Sequence, residues 1–231
     1  MDTSLFNIGL YTSIEASRLL HTSAISISRW LSGYSRKDSD GDAMYVPPLW
    51  APDVPKQDYN QVQLSFRDLM ETRFVNAFRE AGLPLQRIRA LYIRAQDIVE
   101  SERPFSTSKF YTDGQKIFFE KIVTKDDLNA MLDLGDYQHV FKSIILPTFK
   151  DIEYSDGAPI RWTPQRGAKS IVLDPKRSFG QPILRDSGIP TSTIATVYSG
   201  YGNAEDVAEA YLIPIQDVLE AVSFERHLAG I

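Results

Sequence analysis

The chain has 231 residues, 43% hydrophobic and 24% charged, which is typical of a globular protein with a sizeable core and room for two domains. No apolar run approaches the roughly 18 residues that a membrane-spanning helix needs. The first ten residues lack the basic start and apolar stretch of a secretory signal. We therefore expect a cytoplasmic protein.

Metal and thiol chemistry are disfavoured by composition. The chain contains no cysteine, which excludes disulfides, thiolate metal sites and cysteine nucleophiles. Its three histidines, His21, His139 and His227, are far apart in sequence and none has the spacing of a two-histidine metal site. We expect neither a metal nor another cofactor.

Charge is distributed unevenly along the chain. The formal net charge is −5, and residues 200–231 carry one arginine against six acidic residues. Phosphate would be repelled by this acidic end. Any contact with DNA is therefore expected in the N-terminal part of the chain.

Residues 11–34 have the pattern of a helix-turn-helix. Thr12 and Glu15 have the spacing of a capping box, so a first helix should begin near Ser13. The segment His21-Thr22-Ser23 then interrupts the helical pattern with a turn and a new cap. Small and apolar side chains would line one side of the first helix: Ile14, Ala16, Leu19 and Leu20.

The second helix of this motif should run from Ala24 to about Ser32 and stop at Gly33. Its apolar spacing predicts an inner face made of Ile27, Trp30 and Leu31. The outer face would carry Ile25, Ser26, Ser28 and Arg29. Such a face suits insertion into a major groove, whereas the alternative is a helical hairpin that only packs in a larger core.

The next segment is predicted to form a wing. Tyr34 and residues 44–46 could be the arms of a β-hairpin around a tip at residues 35–42. Arg36 and Lys37 are candidates for phosphate contact, although three aspartates in the same tip offset their charge. The following Pro-rich run, with Leu49 and Trp50, is expected to be a strap against the core.

A helical hairpin is predicted at residues 64–101. Ser65 can cap a helix that ends at Gly82, and Pro84 suits the first turn of the next helix. Arg87, Arg89 and Arg94 fall largely outside the apolar face of the second helix. They could contact phosphate or form a solvated face with local ion pairs.

Residues 105–174 are predicted to be rich in β structure. A hairpin is expected with arms at residues 109–112 and 115–119, because Asp113-Gly114 suits a type I′ turn. A short helix at 124–132 and an apolar stretch ending at Pro147 follow. Strands are then predicted at residues 151–154, 160–163 and 170–173, together forming one small sheet.

The C-terminal part is predicted to contain an extended arm at residues 179–184 and three helices. Thr191 or Ser192 should cap the first helix, which ends near Ser199, and Asn203 should cap the second, at 204–211. The third runs from Pro214 to about Leu228. Its inner face is predicted to consist of Ile215, Val218, Leu219, Val222 and Leu228.

The predicted fold class is α+β, mostly helical. We expect a helix-turn-helix with a wing and a helical hairpin at residues 1–104, and a small antiparallel β region at residues 105–174. A three-helix domain should follow at residues 175–231.

Enzymatic motifs are lacking in the sequence. There is no Gly-x-Ser-x-Gly elbow, no phosphate-binding loop and no His-Glu-x-x-His pattern. Gly200-Tyr201-Gly202 is better interpreted as the turn into a helix than as a nucleotide site. Acidic pairs such as Asp126-Asp127 and Glu205-Asp206 lie at helix starts, where they offset the helix dipole. We do not expect an enzyme.

The C-terminal 60 residues resemble an uncharacterised bacterial helical domain. The resemblance rests on a strand with Asp174-Pro175, the run Gly180-Gln181-Pro182-Ile183-Leu184, and three helices of which the second follows a glycine turn. This domain occurs largely in antitoxins of type II toxin–antitoxin pairs, opposite PIN-like ribonuclease toxins. The N-terminal stretch resembles the MerR-like winged helix-turn-helix, and the joined arrangement resembles VapB-type antitoxins.

The resemblance implies an antitoxin that binds and neutralises a PIN-like ribonuclease toxin and represses its own operon as a DNA-binding homodimer. The DNA-binding residues would be Thr22, Ser23, Ile25, Ser26, Ser28, Arg29, Arg36 and Lys37. Arg226 and His227 would face the toxin's acidic metal-binding cleft. The alternatives are a stand-alone MerR-like regulator, whose C-terminal domain dimerises or senses a ligand, and an adaptor without a DNA role.

Overall fold

A computed structural model of the protein describes residues 8–37, 41–54, 61–112, 114, 141–164 and 170–230. Within these ranges the architecture is α+β and mostly helical, with three small antiparallel sheets. Among the described helices, none combines the length and the apolar character of a membrane span.

The helix-turn-helix forms as predicted. It consists of β1 (Tyr11–Thr12), α1 (Ser13–Leu20) and α2 (Ala24–Ser32). The capping box is present, because the Thr12 amide donates to Glu15 Oε2 at 2.7 Å and the Glu15 amide donates to Thr12 Oγ1 at 3.2 Å. His21 closes α1 in the left-handed conformation, and the turn brings α2 across α1.

A two-stranded wing follows α2. It is formed by β2 (Tyr34–Lys37) and β3 (Ala43–Val46), with Tyr34 opposite Val46 and Lys37 opposite Ala43. The arms are longer than predicted, and residues 38–40 of the tip lie outside the described residues. Leu49 and Trp50 in the next segment are buried, which confirms the predicted strap.

The predicted helical hairpin is confirmed. A short strand, β4 (Gln63–Leu64), pairs antiparallel with β1, and the hairpin consists of α3 (Phe66–Glu80) and α4 (Leu85–Val99). Ser65 caps α3, accepting a hydrogen bond of 3.0 Å from the Asp68 amide. The buried faces of both helices meet the helix-turn-helix and the strap in one continuous core.

A buried network of charged side chains ties three separate segments together. Asp68 is fully buried and accepts hydrogen bonds from Trp50 Nε1 at 2.8 Å and from Arg103 Nε at 3.0 Å. Arg103 also reaches Asp53 at 2.9 Å. Burial alone would lower the pKa of Arg103, but the carboxylates of Asp68 and Asp53 raise it above its ordinary value. The strap, α3 and residues 101–106 are thereby held together.

The predicted hairpin arm at residues 109–112 is wrong. Residues 108–112 are helical, and the hydroxyl of Thr107 accepts a hydrogen bond of 3.2 Å from the Phe110 amide at the start of this turn. Phe110 is fully buried and packs on Phe105 at a ring-centroid distance of 5.0 Å. Burial of this ring outweighs the local turn signal. The other arm and the predicted helix at 124–132 lie outside the described residues.

A four-stranded antiparallel sheet follows a short helical segment. It contains β5 (Ile152–Ser155), β6 (Ala158–Trp162), β7 (Ile171–Leu173) and β8 (Pro182–Leu184), paired in chain order. The three predicted strands are confirmed, and the predicted extended arm supplies the fourth. The chain was predicted to break its structure at Pro147, but it is helical there. Pro147 lies in the first turn of α5 (Leu146–Phe149), where the missing N–H of proline is tolerated.

Three helices complete the chain: α6 (Thr191–Tyr201), α7 (Ala204–Tyr211) and α8 (Ile215–Ala229). Asn203 caps α7 as predicted, accepting a hydrogen bond of 2.8 Å from the Asp206 amide. The predicted cap of α6 is wrong. Pro190 occupies the cap position without a side-chain bond, whereas Thr191 is buried and its hydroxyl bonds to Glu225.

Two residues predicted on the inner face of α8 are wrongly placed. Ile215 is 44% exposed and Leu219 is 46% exposed. Helix α8 instead packs through a neighbouring stripe, which comprises Val218, Ala221, Val222 and Phe224. The choice of face depends on how α8 lies on α6, which the spacing of apolar residues does not specify.

The C-terminal domain packs directly on the helix-turn-helix. The Leu10 amide donates to the Phe179 carbonyl at 3.0 Å, and the Tyr11 hydroxyl donates to the Gly180 carbonyl at 2.7 Å. Gly180 has a φ of +82°, and a β-carbon there would clash with the Tyr11 hydroxyl. Burial raises the pKa of Tyr11, so the hydroxyl stays protonated and remains a donor.

Candidate nucleic-acid interface

Helix α2 divides into a buried and an exposed face as the sequence predicts. Ile27 is fully buried, and Trp30 and Leu31 are also in the core. Ile25 on the opposite face is 65% exposed, and Arg29 is exposed beside it. The exposed side of α2 can therefore approach a partner without any rearrangement of the core.

The polar residues around α2 differ in how freely they can reach a ligand. Ser23 is exposed and caps the helix, accepting a hydrogen bond of 3.4 Å from the Ser26 amide. Thr22 and Ser26 are half-buried. Ser28, predicted to point outward, is half-buried and donates to Ser13 Oγ at 3.1 Å. Its hydroxyl is thus partly committed to the contact between α1 and α2.

Arg29 is oriented toward the wing. Its guanidinium carbon lies 5.3 Å from the centroid of the Tyr34 ring, within the range of a cation–π interaction. The Tyr34 ring restricts the conformations of the Arg29 side chain in the free protein. Binding to DNA would therefore cost less side-chain conformational entropy. Arg29 is the cation of this face best placed to meet a phosphate or a guanine edge.

The wing is attached firmly to the end of α2. The Tyr45 hydroxyl donates to the Ser32 carbonyl at 3.1 Å. Gly33 has a φ of +70°, and a β-carbon there would lie 2.5 Å from both the Val46 carbonyl and the Tyr45 hydroxyl. Arg36 and Lys37 are exposed on β2, and Arg36 lines the same groove as Arg29 of α2.

A groove of about 550 Å³ lies between α2, the wing and the start of α4. Four arginines line it, and the described lining includes no aspartate or glutamate. These arginines are Arg29, Arg36, Arg79 and Arg89. In a chain with an overall net charge of −5, this arginine groove is a local site of positive potential that a phosphate backbone would favour.

Two arginines of the groove also support its walls. Arg89 donates to the carbonyls of Pro47 and Pro48, each at 2.6 Å, and Arg79 donates to the Leu83 carbonyl at 2.7 Å. Arg89 is one of the α4 arginines predicted as possible phosphate contacts, whereas Arg79 was missed, because it lies about 50 residues from α2 in sequence. The only available signal was the helical spacing that places Arg89 outside the apolar face of α4.

Another flank of α2 exposes two isoleucines among polar side chains. Ile14, predicted to point inward, is 53% exposed. It lines a shallower depression together with Ile25, Ser28 and Gln61. Exposed aliphatic side chains on this side could contact the methyl groups of thymine in a major groove.

Both residues predicted to bind a toxin, Arg226 and His227, are exposed on α8. They differ in one contact, because the ring of His227 lies edge-on to that of His21 in the helix-turn-helix, with centroids 4.9 Å apart. Within the described ranges, no group of three or more histidine or acidic side chains is placed to hold a metal ion.

Comparison with known protein families finds two matches. Residues 9–91 match the family described as "Putative DNA-binding HTH domain", which spans the helix-turn-helix, the wing and most of the helical hairpin. Residues 171–224 match the family described as "Protein of unknown function (DUF433)", which covers the last strands and the three C-terminal helices.

Relatives of nearly the same length occur in Mycobacterium tuberculosis. The chain is 28% identical to "Putative antitoxin VapB45" over 94% of this chain and 95% of the relative. It is 24% identical to "Uncharacterized protein Rv2308" over 97% of this chain and 93% of the relative. The crystal structure of Rv2018 from the same organism superposes with a TM-score of 0.67 at 20% identity, covering 94% of this chain and 99% of the other, so the fold is shared.

These comparisons confirm the predicted resemblance to VapB-type antitoxins with an N-terminal helix-turn-helix. They also agree with the α+β, mostly helical fold class. Two of these names describe a role, which is that of an antitoxin for one relative and that of a DNA-binding domain for the N-terminal family.

Proposed function

We propose that this chain, an antitoxin-like DNA-binding regulator of the VapB type, neutralises a PIN-like ribonuclease toxin and represses its own operon as a homodimer. The observation that carries the DNA-binding part is the exposed face of α2 next to the arginine groove. A short helix with an open polar face and a rigid cationic flank has the form that a major groove requires.

In this proposal α2 enters the major groove of the operator. Arg29 contacts a guanine or a nearby phosphate, Ser26 contacts a base edge, and Ile25 packs on a thymine methyl group. Ser23 and Thr22 lie near the phosphate at the start of the helix. The wing cations Arg36 and Lys37 contact the adjacent backbone.

A single copy should bind DNA weakly. The exposed face of α2 carries one arginine, and the sequence of the wing tip contains Asp38, Asp40 and Asp42, which oppose its cations. Two copies on a two-fold operator would place their recognition helices about 34 Å apart, one turn of DNA, and would combine two weak contacts into a tight one. This requirement favours a homodimer.

The C-terminal domain is proposed to hold the toxin. Its concentration of acidic residues keeps it away from phosphate, which leaves it available for a protein partner while α2 occupies DNA. Arg226 is exposed and remains a candidate for the toxin's carboxylate cleft. His227 is a weaker candidate, because it would have to leave its contact with His21.

Co-expression with the product of the adjacent reading frame tests the antitoxin role. We expect the neighbour alone to stop growth through RNA cleavage, and the pair to grow and to purify as a stoichiometric complex. A neighbour that is harmless alone and does not co-purify would contradict the proposal.

A mobility-shift assay with the promoter of the chain's own operon tests the DNA-binding role. We expect a shifted species containing two copies, whose affinity falls as salt is raised. Equal affinity for promoter and unrelated duplex DNA at physiological salt would contradict operator recognition.

A stand-alone regulator that senses a ligand is the second candidate. A pocket of about 280 Å³ lies between α1 and the C-terminal domain and is lined by Tyr11, Arg18, Glu225 and Leu228, among others. A small molecule bound there would contact both the DNA-reading motif and α8. Promoter affinity that changes with a cell-extract metabolite, together with an inert neighbouring gene, would favour this candidate over the antitoxin.

A further inference from the structure

The arginine groove has the dimensions of a small-molecule site. Its volume of about 550 Å³ lies within the range of about 300–1,000 Å³ that is usual for ligand pockets. It is bounded by α2, by the two strands of the wing and by the junction between α3 and α4. The groove is therefore large enough to hold a ligand of its own.

Each arginine of the groove is held by a contact to a neighbouring group. Arg29 lies against the Tyr34 ring, and Arg36 donates to the sulfur of Met44 at 3.9 Å. The other two arginines donate to backbone carbonyls. Within the described part of the chain, none of the four forms an ion pair with a carboxylate. Four positive charges are thus positioned for an anionic ligand.

The number of cations suits more than one phosphate group. A terminal phosphate carries about 1.5–2 negative charges near pH 7. Four guanidinium groups exceed this charge, and each can bind phosphate oxygens through a pair of N–H groups. A chain of two or three phosphates therefore matches the groove better than a single phosphate or a carboxylate.

The groove also presents aromatic rings. Three rings line it, those of Trp30, Tyr34 and Tyr45. Tyr45 is 59% exposed, so its ring is accessible for stacking on another ring. Ser26 and Gln86 line the groove as well and can bond to the polar edge of a base. Cations combined with an accessible ring are the features that bind an unpaired base and its phosphates.

Operator DNA does not account for the aromatic part of the groove. The bases of a duplex are stacked inside the helix, and extruding one of them costs free energy. The backbone of a duplex can therefore contact the arginines but offers no base to the rings. A free nucleotide offers its base and its phosphates together.

We propose that the arginine groove binds a nucleoside diphosphate or triphosphate, and that this ligand competes with operator DNA. The inference rests on the proposed DNA-binding function, whose regulation it concerns. Ser26, Arg29 and Arg36 line the groove and are also proposed to contact the operator. Because the same side chains cannot serve both ligands, a bound nucleotide would release the promoter. By linkage, bound promoter weakens nucleotide binding by the same factor.

Isothermal titration calorimetry without DNA tests the binding site directly. The probes are ATP, GTP, CTP and UTP, each titrated separately into the full chain. At least one should bind about tenfold more tightly than its nucleoside or inorganic tripolyphosphate, because each of these lacks either the phosphates or the base. A short oligothymidylate should bind more weakly than the best nucleotide, because each of its phosphates carries a single charge.

An arginine substitution tests the phosphate contacts. Arg79→Gln should weaken binding of the best nucleotide by about tenfold, because a charge-assisted hydrogen bond is lost. Arg67→Gln is the matched control, since Arg67 is an exposed arginine of the same helix that does not line the groove. The control should change the dissociation constant by less than about twofold. Thermal melting verifies that both variants are folded.

A tyrosine substitution tests stacking of the base. Tyr45→Leu should weaken nucleotide binding by about fivefold or more and leave the affinity for tripolyphosphate as it is. Tyr45→Phe keeps the ring and should bind the nucleotide nearly as tightly as wild type. Equal losses for nucleotide and tripolyphosphate in Tyr45→Leu would mean that the ring does not contact the base.

Promoter displacement, followed by fluorescence anisotropy, tests the competition. The best nucleotide should raise the apparent dissociation constant of wild type for the promoter, whereas sodium sulfate at the same ionic strength should not. The effect of the nucleotide should be smaller in Arg79→Gln. Promoter affinity that is independent of the nucleotide would overturn the competition.

The outcomes separate this inference from the proposed function. If wild type recognises the promoter but no nucleotide binds more tightly than tripolyphosphate, or Arg79→Gln binds like its control, only the nucleotide site is wrong. If a nucleotide binds but the promoter is not recognised, the proposed DNA-binding function is wrong and the competition with it. An oligothymidylate that binds more tightly than every nucleotide would assign the groove to single-stranded nucleic acid and overturn the inference.

Discussion

The two ends of the molecule present opposite chemistry on the same small scaffold. The N-terminal end has an exposed helix beside a groove lined by four arginines, whereas residues 200–231 at the C-terminal end carry one arginine against six acidic residues. The two parts are joined by hydrogen bonds that the Leu10 amide and the Tyr11 hydroxyl donate to the carbonyls of Phe179 and Gly180. We propose that the two ends serve different partners, because an acidic surface repels the phosphates that an arginine-lined groove attracts.

The N-terminal end depends on its buried charged network, and breaking this network should have the largest effect. Asp68→Asn removes the charge that Arg103 and Trp50 share, and leaves a buried arginine partly unpaired. We expect the free energy of unfolding to fall by about 3–5 kcal/mol in chemical denaturation. Asp97→Asn on the exposed side of α4 is the control and should change it by less than about 0.5 kcal/mol.

A second large effect should appear in the pH dependence of stability. Burial raises the pKa of Glu71 to about 7, despite the hydrogen bonds that it accepts from the Phe105 and Ser106 amides. Between its ordinary pKa and 7, the unfolded chain loses this proton while the folded chain keeps it. The stability that Glu71 contributes is full below its ordinary pKa and is lost as pH rises to 7, by about 1.4 kcal/mol per pH unit.

The control for this pH effect is Glu71→Gln, which keeps one carbonyl acceptor but cannot titrate. The difference in unfolding free energy between wild type and variant should change steadily between pH 5 and pH 7, at about the slope given above, in urea titrations. A constant difference across this interval would show that Glu71 is ionised in the folded protein.

Substituting one arginine at each end of the molecule tests whether DNA binds only at the N-terminal end. Arg29→Ala should weaken promoter binding by about 1–3 kcal/mol if Arg29 contacts a guanine. Arg226→Ala removes another exposed cation, from α8 of the C-terminal domain, and promoter binding should be unchanged. Equal losses in both variants would mean that DNA binding responds only to net charge.

The smallest expected effect concerns the rigidity of the wing. Tyr45→Phe removes the hydrogen bond from the tyrosine hydroxyl to the Ser32 carbonyl. Promoter affinity should fall by about 0.5–1.5 kcal/mol, with little change in thermal stability because Tyr45 is exposed. Tyr201→Phe makes the same chemical change on an exposed tyrosine at the end of α6 and should leave promoter affinity as it is.

The elements that the sequence predicts well are specified by local interactions. The capping boxes at Thr12 and Ser65 fix the starts of α1 and α3, and the cap at Asn203 fixes that of α7. Each depends on residues within three positions of one another. The same holds for the buried face of α2, where helical spacing alone selects the inner residues.

The features that the sequence does not predict arise from long-range packing. Residues 108–112, predicted to include a β-hairpin arm, are helical, and Phe110 is buried there. The way α8 packs on α6 leaves Ile215 and Leu219 exposed. The arginine groove combines Arg29 with Arg79 and Arg89 from a different helical hairpin. No spacing rule relates residues so far apart in the chain.

One titration tests the central claim that the two ends serve different partners. Promoter duplex is titrated with wild type, with Arg29→Ala, and with a double variant of two exposed leucines of the C-terminal domain, Leu212→Ser with Leu219→Ser. Binding is followed by fluorescence anisotropy. We expect Arg29→Ala to bind about tenfold more weakly and the double variant to bind like wild type. Unchanged binding by Arg29→Ala, or a comparable loss in the double variant, would contradict the claim.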